Sequence, residues 1–170
     1  VRVGPYSVID EHVTVGAGCE LAPHVHLTGH TTIGAENRFH AGCVIGDAPQ
    51  DLKYSCEPTR LIIGERNLFR EHVTIHRSNT PSEDTRIGSE NFFMANSHVG
   101  HNSIIGNKAI LANGVLIAGH AMIGDGAFLA GNAVVHQFCR VGAMAMMQGC
   151  AGVSLDLPPF TIVRGINCMR

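Results

Sequence analysis

The sequence predicts an all-β fold, a single parallel β-helix built from six-residue repeats. A large apolar residue recurs at every sixth position from Val3 to Val153, and only Asp51, Glu57 and Pro81 break this rule. The position after it is often glycine, and the position four after it is usually small. An α-helix cannot keep such a period on one face, whereas short parallel strands can.

The large apolar residue and the small residue are expected to point inward, and the glycine to permit a sharp corner between strands. Stacked coils then bury a continuous apolar column, so stability needs many repeats. Residues 47–62 and 77–86 leave the pattern and return to it, which predicts two loop insertions. Insertions in solenoids often form the binding face. We interpret 77–86 as a tolerated surface loop, whereas Lys53 and Tyr54 favour a functional role for 47–62.

The composition is that of one globular domain. Of the 170 residues, 45% are hydrophobic and 15% charged, with a net charge of −2. This weak, nearly balanced charge argues against a nucleic-acid partner. No run of eighteen apolar residues occurs, so no membrane span is predicted. The first five residues, Val1–Pro5, contain neither an initiator Met nor an apolar leader and already read as mid-repeat, so we expect a trimmed chain.

The six cysteines do not form a C-x-x-C pair, which argues against a zinc knuckle or redox motif. Three of them, Cys19, Cys43 and Cys139, occupy the small slot of the repeat and are expected to behave as buried hydrophobes. Reduced thiols are typical of the cytoplasm, and we predict a cytoplasmic location.

The repeat positions divide the eleven histidines into exposed residues and a group that should stack together. Six of them fall in outward slots and are expected to be solvated: His12, His24, His26, His30, His40 and His72. Residues 87–153 run without interruption, so positions eighteen apart should stack at about 4.8 Å. The predicted columns are His101–Gly119–Gln137, Gly100–Ala118–His136 and Asn102–His120–Phe138, with His98 on the same coil as His101. Imidazoles near a glycine backbone could provide a general base and an oxyanion donor.

Several longer strings carry a family resemblance. They are Gln50–Tyr54, Glu57–Arg60, Val73–Arg77, Ile110–Asn113, Ala118–His120, Val135–Cys139 and Leu157–Phe160. They resemble the UDP-N-acetylglucosamine acyltransferases, within the hexapeptide-repeat acyltransferase superfamily, over nearly the whole chain. The resemblance implies a left-handed β-helix with eighteen residues per coil and a homotrimer with active sites between subunits. It also implies an activity: transfer of a 3-hydroxyacyl chain from acyl carrier protein to the 3-hydroxyl of UDP-N-acetylglucosamine, the first step of lipid A biosynthesis.

The same resemblance implies residue roles. His101 matches the general base and Gly119 the residue whose N–H stabilises the oxyanion. Gly149 matches the position that measures acyl-chain length. Residues that line the site or contact the sugar nucleotide or acyl chain are matched by Asp51, Lys53, His76, His98, His120, His136 and Gln137.

Two departures keep alternatives open. Asn102 stands where the family usually has Asp beside the base, and a related N-acyltransferase carries His-Asn there. We also expect the helical C-terminal domain of the family to be absent, with residues 1–157 as the β-helix domain and 158–170 as a truncated extension. The alternatives are therefore N-acylation of an amino sugar nucleotide or a non-catalytic trimeric β-helix. Zinc carbonic anhydrases share the repeat, but their ligand spacing of five between histidines does not occur, so neither a metal nor a cofactor is predicted.

Overall fold

Short strands form three sheets in the computed structural model, which describes residues 1–169, and the pairing is parallel except at the last strand of the first sheet. Sheet A contains β1 Arg2–Val3, β4 Glu20–Leu21, β7 Arg38–Phe39, β10 Leu68–Phe69, β13 Phe92–Phe93, β16 Ile110–Leu111, β19 Phe128–Leu129, β22 Met146–Met147, β24 Ile162–Arg164 and β25 Cys168–Met169. Sheet B contains β2 Val8–Ile9, β5 His26–Leu27, β8 Val44–Asp47, β11 Thr74–His76, β14 His98–Val99, β17 Leu116–Ile117, β20 Val134–Val135 and β23 Gly152–Val153. Sheet C contains β3 Thr14–Val15, β6 His30–Ile33, β9 Arg60–Ile63, β12 Asp84–Ile87, β15 Ile104–Ile105, β18 Met122–Ile123 and β21 Arg140–Val141.

The strand register confirms a coil of eighteen residues. His98 pairs with Leu116, and the other strand pairs up to β23 that do not span an insertion keep the same separation. The last parallel pair is shorter, with Met146 opposite Ile162, sixteen residues on. Across the insertions the separation grows: Arg38 pairs with Leu68, thirty residues on, and Leu68 pairs with Phe92, twenty-four on. The extra residues are whole multiples of six, which explains why the apolar period survives both interruptions.

Both insertions leave the helix at the same corner, where a strand of sheet B leads to the next strand of sheet C. The first lies between β8 and β9 and the second between β11 and β12. These strands extend into the ends of the predicted interruptions, so the loops are residues 48–59 and 77–83. We call this edge of the molecule the B–C corner. After the insertions, its turns are residues 100–103, 118–121 and 136–139.

The interior follows the predicted slots. The aromatic rings of Phe39, Phe69 and Phe93 are fully buried and stack with centroid separations of 4.7 and 4.9 Å. Aliphatic residues continue this column through the later coils, and burying each contributes roughly 1.5–3 kcal/mol. Buried Asn67 and Asn91 also join successive coils, because the side-chain oxygen of Asn67 accepts the Asn91 backbone N–H at 2.9 Å. The core is therefore apolar with satisfied polar links.

The glycine slot has a different role from the one predicted. Most glycines there do not have positive φ; the left-handed residues lie two positions later, as at Asn102 (φ 59°) and His120 (φ 59°). A Cβ on Gly16 would lie 2.5 Å from the Gly34 backbone, and one on Gly88 would lie 2.4 Å from the Gly106 carbonyl oxygen. Glycine is thus required by the close approach of stacked coils.

The described part of 158–170 continues sheet A. Ile162–Arg164 pairs in parallel with Met146–Met147, and Cys168–Met169 returns antiparallel to it. The division of the chain at residue 157 stays a prediction. Within residues 1–169, no helix is long and apolar enough to cross a membrane.

Candidate active site

The B–C corner brings most of the predicted site residues together. A groove at this corner is lined by Gln50, Asp51, Leu52, Lys53, Asn79, His101, His120, Gln137 and Phe138. The first insertion contributes the stretch from Gln50 to Lys53, the second contributes Asn79, and three successive uninterrupted turns contribute the others. The groove exists because both loops and the histidine column leave the coils at one edge.

Aromatic contacts fix the rings of this column. The rings of His101 and His120 are perpendicular with centroids 5.2 Å apart, and His120 stacks on Phe138 at 4.7 Å. The backbone N–H of His120 donates to the His101 carbonyl oxygen at 2.9 Å, which joins the two turns. Neighbouring coils therefore hold His101 and His120 at the mouth of the groove.

Hydrogen bonds around Asn102 determine the tautomer of His101. The backbone N–H of Asn79 donates to Asn102 Oδ1 at 2.9 Å, and a backbone N–H can only donate. The same oxygen lies 2.9 Å from His101 Nδ1, so Nδ1 must carry the hydrogen and donate. In the neutral ring, Nε2 is then unprotonated and available as a base.

Gly119 lies directly under this base. A Cβ on Gly119 would be 2.8 Å from both Nε2 and Cε1 of His101, so any side chain there would displace the ring. The Gly119 N–H donates no hydrogen bond within residues 1–169. A Cβ on Gly100 would lie 2.7 Å from this nitrogen, so glycine at residue 100 keeps it uncovered. In the neutral ring, the unprotonated nitrogen of His101 therefore packs against Gly119, the residue that carries the unused N–H.

Two further histidines lie behind His101. His98 Nδ1 is 2.8 Å from Thr74 Oγ1, and the His98 ring is perpendicular to that of His76 at 4.9 Å. His76 is buried, and its Nδ1 has no partner among the described residues. Burial lowers the pKa of His98 to about 4 and also lowers the pKa values of His76 and His120. These three rings are consequently neutral at pH 7.

We expect the free energy of unfolding to fall as the pH is lowered from about 6.5 to about 4. In the unfolded chain His98 binds a proton near pH 6.5, whereas in the folded chain burial holds its pKa at about 4. Between these values protonation favours the unfolded state, at a cost of about 2 to 3 kcal/mol by pH 4. Urea titrations at pH 7, 5.5 and 4.5 should show a shallower decline in His98→Gln, whereas exposed His12→Gln should follow the wild type. Equal declines in all three proteins would contradict this assignment.

The two insertions are braced against each other. Asp51 Oδ2 accepts from Asn79 Nδ2 at 2.8 Å, and its Oδ1 accepts from the Lys53 backbone N–H at 2.9 Å. These bonds, the one from Lys53 first, lower the pKa of Asp51. Arg77 Nη2 donates to the Tyr54 hydroxyl at 3.1 Å. The groove thus presents an ionised carboxylate and the exposed Lys53 opposite His101.

Sequence reasoning missed Asn79 and Glu83, which lie in the segment interpreted as a tolerated loop. Asn102 Nδ2 donates to Glu83 Oε2 at 2.8 Å, and the same carboxylate lies 3.8 Å from His120 Nδ1. A signal was present in the sequence. Glu83 lies eighteen residues before His101 and so belongs to the same predicted column, whereas Asn79 lies within the insertion, where a count of eighteen does not apply.

The remaining predicted residues are more peripheral. His136 and Gln137 are exposed, with His136 Nδ1 3.2 Å from the Gln137 carbonyl oxygen. Gly149 lies at a different corner, between sheets A and B, and one chain alone does not bring it to His101. Within residues 1–169, no three His, Cys, Asp or Glu side chains are grouped to hold a metal ion.

Known proteins share both the sequence and the fold. The family described as bacterial transferase hexapeptide (six repeats) matches residues 84–119. An acyl-(acyl-carrier-protein)–UDP-N-acetylglucosamine O-acyltransferase of Anaeromyxobacter sp. (strain Fw109-5) is 48% identical over 140 residues, 82% of this chain and 54% of that protein. The UDP-N-acetylglucosamine acyltransferase of Campylobacter jejuni is 32% identical with a TM-score of 0.90, over 99% of this chain and 69% of that one. The chain belongs to the UDP-N-acetylglucosamine acyltransferase family.

Another solved member, the UDP-N-acetylglucosamine O-acyltransferase (LpxA) of Moraxella catarrhalis RH4, is 38% identical with a TM-score of 0.94, over 99% of this chain and 65% of that one. Superposition at this level requires the same hand, which confirms the left-handed β-helix expected for a member of the family. The chain spans about half the length of its curated relative and about two thirds of these solved members.

Proposed function

We propose that this protein is an O-acyltransferase that moves a 3-hydroxyacyl chain from acyl carrier protein to the 3-hydroxyl of UDP-N-acetylglucosamine, the first step of lipid A biosynthesis. The observation that carries the proposal is the unprotonated Nε2 of His101 beside the unused N–H of Gly119. Support comes from the names of the relatives, two of which specify O-acylation.

The residues at the corner account for each stage of acyl transfer. His101 Nε2 takes the proton from the sugar 3-hydroxyl as that oxygen attacks the thioester carbonyl carbon. The new C–O bond leaves a tetrahedral oxyanion, to which the Gly119 N–H donates. Collapse breaks the C–S bond, and the carrier thiolate takes the proton from the imidazolium. The products are the sugar ester and the free carrier thiol, with His101 neutral again. Asn102 Oδ1 keeps Nδ1 protonated throughout.

The groove supplies groups that suit the two substrates. Lys53 offers a flexible ammonium for phosphate, and Asp51 accepts hydrogen bonds from sugar hydroxyls. The neutral rings of His98, His120 and His76 surround His101 without opposing its protonation. His136 and Gln137 extend the groove toward the acyl donor. The assembly we propose is a homotrimer in the cytoplasm, in which a neighbouring subunit brings Gly149 to this groove.

Mass spectrometry of the products tests the proposal. The purified protein is incubated with 3-hydroxyacyl carrier protein and either UDP-N-acetylglucosamine or an amino sugar nucleotide. An ester product is expected, and it should be cleaved by mild alkali. Asn102 favours one second candidate, N-acylation, which would give an alkali-stable amide instead. No product from either acceptor would indicate a non-catalytic β-helix and overturn both enzymatic proposals.

Lys53→Ala is expected to raise the KM for the sugar nucleotide about tenfold while changing kcat less than about twofold. The physical reason is loss of a charge-assisted contact to phosphate in the ground state and transition state alike. Steady-state kinetics at saturating donor measure both constants. Lys108→Ala is the matched control, because Lys108 is exposed at another corner, 3.7 Å from Glu90. A fall in kcat with unchanged KM would refute the binding role.

A further inference from the structure

Glu83 is the charged side chain bonded to the partner of the base. Its Oε2 accepts from Asn102 Nδ2 at 2.8 Å, while Asn102 Oδ1 accepts from His101 Nδ1 at 2.9 Å. The imidazole therefore donates to the amide oxygen of Asn102, and the amide nitrogen of Asn102 donates to the Glu83 carboxylate. Asn79 fixes the orientation of this amide, because its backbone N–H can donate to the side-chain oxygen of Asn102 but not to the side-chain nitrogen.

We propose that Glu83 is a positioning residue for His101 that acts through the Asn102 amide and supplies negative charge to the imidazolium formed during acyl transfer. The proposal deepens the proposed function and rests on it. An amide whose N–H is bound by a carboxylate is a stronger acceptor at its oxygen, since hydrogen bonds in a chain polarise one another. Through Glu83, the neutral Asn102 thus stabilises the His101 imidazolium, in part as a carboxylate bonded directly to the ring would.

Other charges also face His101 and set the background. Asp51 and Lys53 face it from the first insertion, and His76 and His98 from the strands of sheet B. His120 faces it from the next coil and lies 3.8 Å from Glu83. Because the three neighbouring imidazoles are neutral and Lys53 is cationic, the carboxylates are the groups that favour the imidazolium. Of these, only Glu83 is linked to the ring by hydrogen bonds through Asn102 among the described residues.

The test is a cycle of four proteins: wild type, Glu83→Gln, Asn102→Asp and the double variant. Glu83→Gln keeps a possible acceptor for Asn102 Nδ2 and removes only the charge. Asn102→Asp places a carboxylate directly on the ring, and Asp tolerates the positive φ at this position. The Glu83 side chain is 58% exposed, so Glu83→Gln should not unfold the protein. Asn102 is buried, so circular dichroism and thermal unfolding check that Asn102→Asp and the double variant keep the fold. Glu90→Gln, an exposed change at another corner, controls for net charge.

We expect Glu83→Gln to lower kcat about threefold to tenfold in the wild-type background and to move the acid limb of the rate profile to lower pH. In the Asn102→Asp background the same change should cause no loss, because Glu83 then faces a like charge. A merely structural role for Glu83 predicts instead that Glu83→Gln behaves as wild type and only Glu83→Ala is impaired. That result, or an equal loss in both backgrounds, overturns the proposal.

A second readout does not depend on acyl transfer. The His101 ring is titrated by NMR in each protein, with its resonance identified by its absence in His101→Gln. Removing Glu83 should lower the midpoint of this titration when residue 102 is Asn and leave it unchanged or higher when residue 102 is Asp. If the protein shows no acyl transfer, this cycle still decides whether Glu83 acts on His101, so the two proposals fail separately. Equal shifts in both backgrounds would overturn the role of Glu83.

Discussion

His101→Ala is expected to lower kcat by between about a hundredfold and ten-thousandfold while leaving the β-helix folded. The loss is large because Nε2 has no substitute at this position. His120 is perpendicular to His101 and stacked on Phe138, and His98 is directed to Thr74. Single-turnover kinetics with saturating substrates measure the chemical step. Circular dichroism and sedimentation, with His12→Ala as the control, report fold and assembly.

A residual rate above about one tenth of wild type would remove His101 from the role of general base, since the loss would then be under about 1.4 kcal/mol. A variant that unfolds would be replaced by His101→Gln, which retains volume and a hydrogen bond to Asn102 Oδ1. Gln cannot accept a proton near neutral pH, so it should lose the same factor. The pair of variants therefore separates a missing base from a damaged corner.

The fold was predictable because its physical cause is periodic. Every coil repeats the same inward and outward positions, so a large apolar residue at each sixth position indicates the core directly. The column of His101, Gly119 and Gln137 followed from adding eighteen. The left-handedness of the β-helix was predicted from the family resemblance alone, since the hexad pattern is the same for either hand. The prediction that glycine serves the corner was wrong, because the close approach of stacked coils is a three-dimensional contact that the repeat pattern does not reveal.

The site was predictable only where the repeat is uninterrupted. Stacking rules placed His101 beside Gly119, but the uninterrupted run begins at residue 87, so Asn79 and Glu83, which precede it, were missed. Their positions depend on how residues 77–83 fold back, with the Asn79 N–H bonded to Asn102 and the Glu83 N–H bonded to the Thr80 carbonyl oxygen at 3.3 Å. Such bonds depend on loop geometry rather than on a period. The burial that lowers the pKa of His98 likewise comes from neighbours on other coils.

Gly149 differs from the histidines because the structure leaves space around it. It heads a column of small residues at the A–B corner, with Gly131, Asn113 and Ala95 below it. A Cβ on Gly149 would lie 3.5 Å from the Gly131 carbonyl oxygen, an ordinary contact, and its φ is not positive. A larger side chain could therefore be accommodated without strain and would project outward, into the groove that the proposed trimer forms between neighbouring subunits.

Gly149→Met is expected to move the preferred acyl donor several carbons shorter. The Met side chain would fill the far end of the hydrocarbon groove, and each buried methylene contributes about 0.8 kcal/mol, so excluding four would lower kcat/KM for the longest donors on the order of a hundredfold or more. Donors short enough to end before residue 149 should react at the wild-type rate, because His101 and Gly119 are untouched. A series of 3-hydroxyacyl carrier proteins measures the optimum, with Gly149→Ala as a graded control that should shift it by about one carbon at most. An identical optimum in wild type and Gly149→Met would exclude Gly149 from the end of the groove and, with it, the placement of this corner beside a neighbouring subunit's His101.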